Sequence, residues 1–419
     1  MTAFALLVLG VAAPDWVPVR WPSSDPKSLD LLEKAAINCL VVPAETNAAF
    51  RDAAQTRKLQ LAVLGKDVPL FPRNKLPLDS KEPVIATEQA VWPGINTTDD
   101  ENKAMPSGAP WIDTNQGFLR FARAATKSTV WLANQPPKGT IIPVERYLQA
   151  IADAAAVGAR WVVSFDDDFS KRLLAREEKA LKDWQRINDL LRFYENHPEW
   201  RNFRPAGQLS VIQDVASGGL LSGGVLDMIS TRHTPVRPIP GSKMAQDSFQ
   251  GATMAVNVDP GSLTTDQKAM VTGFTRGGGT ILQAPPGWKM PEPRPDQVTL
   301  DKTDVEKLDQ IWKEVNGMIG RRNLGARLFN VSSMLSDLTV SADGQQMALY
   351  LINYASYAAE DITAHLLGKF SKATLCTPEE PPKTLHLFEV EDGTGAEIPK
   401  ISVAGTIVFE TIKPIGAAR

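Results

Sequence analysis

From Trp16 to about residue 206 the chain alternates short apolar runs with amphipathic stretches. "WVPVRWP", "INCLVVP", "LQLAVLG", "PVIATEQAVW", "TVWLANQPP" and "RWVVSF" read as strands. Between them, "DPKSLDLLEKAA", "TNAAFRDAAQTRK", "QGFLRFARAAT" and "VERYLQAIADAAAVG" repeat apolar residues at helical spacing. A longer helix is expected over residues 177–196. In the first helical stretch, Asp25 or Ser28 is placed to cap, and Leu29, Leu31, Leu32 and Ala35 share a face. Strands alternating with helices predict βα units and a parallel sheet. Six units over residues 15–206 suggest a (β/α) barrel of the TIM type, though the full form has eight strands in about 250 residues. "QLSVIQD" is a candidate seventh strand.

Residues 207–325 open a second α/β block. "QLSVIQD", "TPVRPIP", "GATMAVNVDPG" and "GTILQAPP" read as strands, and "GGLLSGGVLDMIST" and "LTTDQKAMVTGFTRGG" as helices, the second capped by Thr264 or Thr265. This predicts a small doubly wound sheet. In residues 326–419, "QQMALYLINYA", "DITAHLLG", "KATLCTPEE", "TLHLFEVED" and "ISVAGTIVFETI" alternate in and out at short spacing, with "ADG" and "EDGTG" turns. That pattern predicts an antiparallel β-sandwich.

A length of 419 residues agrees with two to three domains. Net charge is −3, so no basic excess points to nucleic acid. Cys39 and Cys376 are far apart and the four histidines are scattered, which gives neither a disulfide framework nor zinc spacing. No metal and no cofactor are expected. The apolar run Ala3–Ala13 fits the core of a secretory signal, so residues 1–14 are expected to be a signal remnant and the protein secreted or periplasmic. A first buried strand is the alternative reading. The run is too short to span a bilayer, which takes about 20 apolar residues.

The segment "FQGATMAVNVDPGSLTTDQKAMVTGFTRGGGTILQAPP" resembles the strand–helix–"GG"–strand pattern of the second domain of bacterial beta-galactosidases, a trimerisation module. "LYLINYA", "ITAHLLGK" and "CTPE" resemble their terminal sandwiches. The layout is similar to that of bacterial multidomain glycoside hydrolases. The resemblance implies a TIM-barrel-like domain, a flavodoxin- or glutaminase-like α/β domain and a C-terminal β-sandwich. It also implies a carbohydrate substrate and homo-oligomerisation through the middle domain.

In such a barrel the reactive groups stand at the carboxyl ends of the strands. The polar residues there are Arg20 and Trp21, Glu88 and Trp92, Trp111, Asp113 and Asn115 in "APWIDTN", Asn134 and Gln135, and Asp166, Asp167 and Asp168. A sugar site uses this mixture: aromatic platforms, amides and arginine for hydroxyls, and two carboxyls for acid and base work. Glu88, in apolar "VIATEQAVW", is the expected general acid, its pKa raised by burial. An ion pair with Arg20 is its alternative role. Asp166 or Asp167 is the expected second carboxyl; a capping cluster with no chemistry is the alternative. Asp113 is third choice, with an Asx-type turn as its plain reading. "SGGLLSGG", residues 217–224, lacks both dinucleotide-loop spacing and a P-loop lysine. Residues 200–330 contain no cysteine for amidotransferase chemistry. The sequence therefore supports a glycoside hydrolase-like protein, or a non-catalytic carbohydrate-binding or assembly protein on the same architecture.

Overall fold

The computed structural model describes residues 15–94, 96–97, 102–220, 225–284, 300–320 and 325–415. The signal-like run lies outside these residues, as does part of "SGGLLSGG". Strands β1 (Pro18–Arg20), β2 (Cys39–Val41), β3 (Gln60–Ala62), β4 (Val84–Thr87), β5 (Thr129–Leu132) and β6 (Arg160–Trp161 continuing through Val163–Ser164) pair in parallel. The first half of β6 pairs with β5 and its second half with β1, giving the order β3-β2-β1-β6-β5-β4. Residues 68–70 bridge on one side to Leu64, just past β3, and on the other to Ala86 of β4, so this short segment closes the six strands into a ring. "QLSVIQD" takes no place in it.

Helices α1 (Ala48–Thr56), α2 (Gln116–Ala125) and α3 (Val144–Ala155) supply the β2–β3, β4–β5 and β5–β6 crossovers, and α4 (Asp167–Leu174) and α5 (Glu178–Glu195) follow β6. The helix expected after β1 is instead a 3-10 segment, Pro26–Leu32, capped by Asp25. Its buried Leu29 and Leu32 are three residues apart, a spacing that a three-residue turn aligns.

The period of two along each strand sorts side chains to two faces. Cys39, Val41, Ala62, Val84, Ala86, Trp131, Ala133 and Val162 form one buried cluster inside the ring. Their sequence neighbours Leu40, Ile85, Val130, Leu132, Trp161 and Val163 belong to the cluster under the helices. Six strands enclose less space than eight. Alanines on β3 and β4 and after β5 make way for the Trp131 indole, which fills the lumen.

The middle unit is a parallel sheet of β7 (Leu209–Gln213), β8 (Val236–Pro240), β9 (Met254–Asn257) and β10 (Thr280–Gln283), in the order β8-β7-β9-β10. Helix α6 (Val215–Leu220) follows β7. Helices α7 (Val225–Thr231) and α9 (Lys302–Met318) cover one face, around Val211, Ile229, Val256, Leu308 and Ile311. Helix α8 (Thr265–Arg276) covers the other, closed by a capping box between Thr264 and Gln267. The sequence reading did not anticipate α9, although Val305, Leu308, Ile311 and Val315 carry the helical period.

The C-terminal unit has strands β11 (Ala326–Phe329), β12 (Met334–Val340), β13 (Gln346–Asn353), β14 (Ala359–Leu367), β15 (Phe370–Cys376), β16 (Leu387–Val390), β17 (Gly393–Ile401) and β18 (Ala404–Thr411). They form two antiparallel sheets, β12-β13-β18-β15 and β11-β14-β17-β16. Short strand Arg204–Pro205, just after the barrel, pairs with β12. One face of the larger sheet packs inside the sandwich through Leu349, Leu351, Ile407 and Phe409. Its other face, through Leu335, Ala348, Tyr350, Ile352 and Ala404, belongs to the barrel's outer cluster. Among the described residues no helix is long and apolar enough to cross a membrane.

Candidate functional site

The inward row of side chains continues past the ends of the strands. Arg20 ends β1, and Glu88 follows Val84 and Ala86 at the same parity on β4. Arg20 donates from Nη2 to Glu88 Oε1 at 3.3 Å and to the Ala133 carbonyl at 2.9 Å. Strands β6 and β5 lie between β1 and β4 on one side of the ring, and β2, β3 and the 68–70 segment on the other, so the ion pair spans the mouth above Trp131. The buried setting expected for Glu88 is absent: its side chain is 47% exposed, and its counterion Arg20 is 27% exposed. A pair this open contributes about 0–1 kcal/mol, so an incoming ligand opens it at little cost. Beside it, Asn134 Nδ2 donates to the Ala90 carbonyl at 3.1 Å, Asn134 Oδ1 is buried without a partner, and Gln135 is exposed.

The three aspartates after β6 divide the work of starting a helix. Asp166, only 4% exposed, caps α4: Oδ1 accepts from Phe169 N at 3.0 Å. Its Oδ2 accepts from the Tyr147 hydroxyl at 2.7 Å and from Ile142 N at 3.2 Å. The same hydroxyl accepts from Asp166 N at 2.8 Å. Burial raises the Tyr147 pKa well above that of an ordinary phenol, so it stays a donor. A carboxylate with three donors in place and almost no solvent access is committed to the fold. Asp167 and Asp168 are exposed in the first turn, where negative charge suits the helix dipole, and Asp168 pairs with Arg172 at 2.8 Å.

The other sequence candidates are mostly drawn into the core. Trp21 donates from Nε1 to Ser28 Oγ at 2.8 Å and packs against Phe165 and Trp184. Trp92 is buried edge-on to Trp161 and donates to the Gln135 carbonyl at 3.0 Å. Asp113 ties a long loop together, accepting from Gly94 N, Ser107 N and Ser107 Oγ; burial raises its pKa. Asn115 accepts from Arg73 Nη1 at 2.9 Å and from Val91 N at 2.8 Å. It donates to the Val91 carbonyl and to Asp153. Trp111 leans on the core of the middle sheet.

Sequence reading missed the polar cluster that joins the barrel to the sandwich. Asp153, fully buried on α3, accepts from Thr114 Oγ1 at 2.5 Å, Asn115 N at 2.7 Å and the Tyr354 hydroxyl at 2.7 Å. Burial raises its pKa and these donors oppose the rise. Burial also pushes the Arg73 guanidinium down to about 9, against the pull of Asp227 and Asp153. On the same helix, Arg146 and Gln149 donate to backbone carbonyls of the Asn353–Ala355 segment. A polar residue every three or four positions on an otherwise buried helix was the available signal.

Among the described residues no three His, Cys, Asp or Glu side chains gather as a metal site. The cavities at the sandwich edge, beside α7 and α9, at the turn between β12 and β13 and below the barrel are not lined by Glu88, Asp166 or Asp167.

No protein-family model matches the chain. No curated protein matches it. Among solved structures, an alpha-L-fucosidase isoenzyme from Paenibacillus thiaminolyticus superposes with a TM-score of 0.59 at 8% identity, covering 95% of this chain and 99% of that one. A beta-galactosidase from the psychrophilic Marinomonas ef1 gives 0.41 at 10% identity, over 87% of this chain and 66% of that one. A GH42 beta-galactosidase from G. stearothermophilus gives 0.45 at 10% identity, over 87% and 68%. Over nearly its whole length the chain is similar in fold to the alpha-L-fucosidase structure, a glycoside hydrolase-like architecture.

Proposed function

We propose that the chain is a carbohydrate-binding protein on a glycosidase-like scaffold, taking an oligosaccharide or polysaccharide at the barrel mouth. The observation that carries this reading is the fate of the carboxylates. Asp166 is closed up as a helix cap, and Glu88 faces Arg20 across the mouth. Glycoside hydrolysis needs two carboxyls free to act on opposite sides of one bond. Arg20, Glu88, Asn134 and Gln135 offer donors and acceptors suited to sugar hydroxyls. Hydrolysis is the second reading, favoured by the exposure of Asp167, with Glu88 as general acid and Asp167 as base or nucleophile.

The same reading takes residues 15–206, 207–325 and 326–419 as barrel, flavodoxin- or glutaminase-like and sandwich domains. It assigns the middle domain to homo-oligomer assembly and the protein to a secreted or periplasmic setting.

Calorimetric titration with xylo-, galacto- and fuco-oligosaccharides tests it. Binding should weaken at least tenfold in Arg20→Ala and in Glu88→Gln. Binding of every such sugar at wild-type strength in both variants overturns the assignment of the mouth.

A further inference from the structure

We propose a second saccharide site, away from the barrel mouth, in the cleft where the 108–111 loop meets helices α7 and α9. This inference rests on the carbohydrate-binding reading above and adds a place to it.

The cleft is a cavity of about 470 Å³, within the roughly 300–1,000 Å³ that small-ligand sites span. Two tryptophans line it, Trp111 from the long barrel loop and Trp312 from α9. Both are half-buried, with part of each indole anchored on the middle core and part left to the cleft. The Arg232 guanidinium, at the end of α7, lies over the Trp312 ring with its carbon 4.6 Å from the ring centroid. That contact holds both groups in place. Lys302, Glu306 and Asp309 line the cavity from α9. Their spacing of four and three residues sets them on one helical face. Asp309 is steadied by Lys313 at 2.6 Å.

This lining identifies the ligand class. The part of the Trp111 indole left to the cleft can take the C–H face of a sugar ring, while Trp312, with Arg232 over its ring, holds the guanidinium in the cleft wall. Arg232 and Lys302 donate, Glu306 and Asp309 accept, and together they carry no net charge. A phosphate or other anion would need a cationic excess, and a purely apolar ligand would cover Lys302 and Glu306 without giving them hydrogen-bond partners. A neutral oligosaccharide satisfies both kinds of group. The walls come from separate units, so a bound saccharide also bridges the barrel loop and the middle domain.

The test is calorimetric titration, with xylo-, galacto- and fuco-oligosaccharides of three to six units, of the full chain and of an Arg20→Ala/Glu88→Gln double variant. The wild type should bind two equivalents and the double variant one. The equivalent left in the double variant should weaken at least tenfold in Trp312→Ala. Glu306→Ala and Lys302→Ala change exposed side chains and should each weaken it several-fold with an unchanged melting curve, which separates loss of the site from loss of the fold. One equivalent in the wild type that disappears in the double variant overturns the cleft site and leaves the barrel-mouth reading standing. One equivalent that survives in the double variant and falls with the α9 changes supports the cleft and overturns the mouth. No binding in the wild type overturns both.

Discussion

Asp166→Asn separates a cap from a catalyst. The substitution keeps the volume and can keep an oxygen toward Phe169 N, so the cap itself survives. The second atom becomes an amide donor where Tyr147 Oη donates at 2.7 Å and Ile142 N at 3.2 Å. Turning the amide over keeps an acceptor for Tyr147 and Ile142 and moves the conflict to Phe169 N. At least one buried donor therefore loses its acceptor in either orientation. Each such loss costs about 1–3 kcal/mol, so the better orientation puts the change at about 1–3 kcal/mol. Urea unfolding followed by far-ultraviolet circular dichroism at pH 7 reads this directly, and limited proteolysis between α3 and α4 reports local opening. Catalytic carboxylates are commonly destabilising where they stand, so an active-site role for Asp166 predicts a neutral or stabilising change. Stability within 0.5 kcal/mol of wild type, a margin typical of harmless surface changes, would refute the capping argument.

Tyr354→Phe removes a donor to Asp153 and leaves the ring, so it should cost about 1.5–3 kcal/mol, the range for hydrogen bonds to charged groups; a melting curve identical to wild type contradicts the account of the barrel–sandwich joint. His233 is buried, with Nδ1 3.1 Å from Ser336 Oγ, and burial pushes its pKa from 6.5 down to about 4. Its contribution to stability is present above pH 6.5 and is lost as pH falls through about 4, at about 1.4 kcal/mol per unit. His233→Asn suits the positive φ of 64° there, and should remove about 2 kcal/mol of the wild-type stability lost between pH 6.5 and 5. An identical pH profile in the variant rejects this. Glu88→Gln should change stability by less than about 1 kcal/mol, because the pair with Arg20 is open to water; a larger loss in thermal unfolding would make Glu88 a structural residue.

The architecture was legible where the hydrophobic period was strong. Runs such as "RWVVSF" and "QMALYLIN" are strands because one or both of their faces are buried, and the period declares it. The barrel's closure was less legible, since it depends on two isolated bridges, at Leu64 and Leu70, rather than on a strand. Helix α9 was overlooked although its apolar positions recur regularly, because the "GTILQAPP" strand before it read as the end of the unit. At the site, the sequence could gather polar residues at strand ends but not say which way they turn. Arg20 and Glu88 meet because both keep the inward parity of their strands. Asp166 has that parity too, but the helix begins there and its backbone amides claim the carboxylate. Trp21 and Trp92 look like sugar platforms in one dimension; in three, each finds an oxygen for its indole N–H and is covered.

The central claim is that the barrel mouth holds a saccharide without cleaving it. The most direct measurement follows the fate of the sugar: an oligosaccharide that binds is incubated with an equimolar amount of protein, and the recovered masses are read by mass spectrometry. The account predicts that the sugar returns intact from the wild type. Shortened products from the wild type that vanish in both Glu88→Gln and Asp167→Asn would contradict it and establish hydrolysis by that pair.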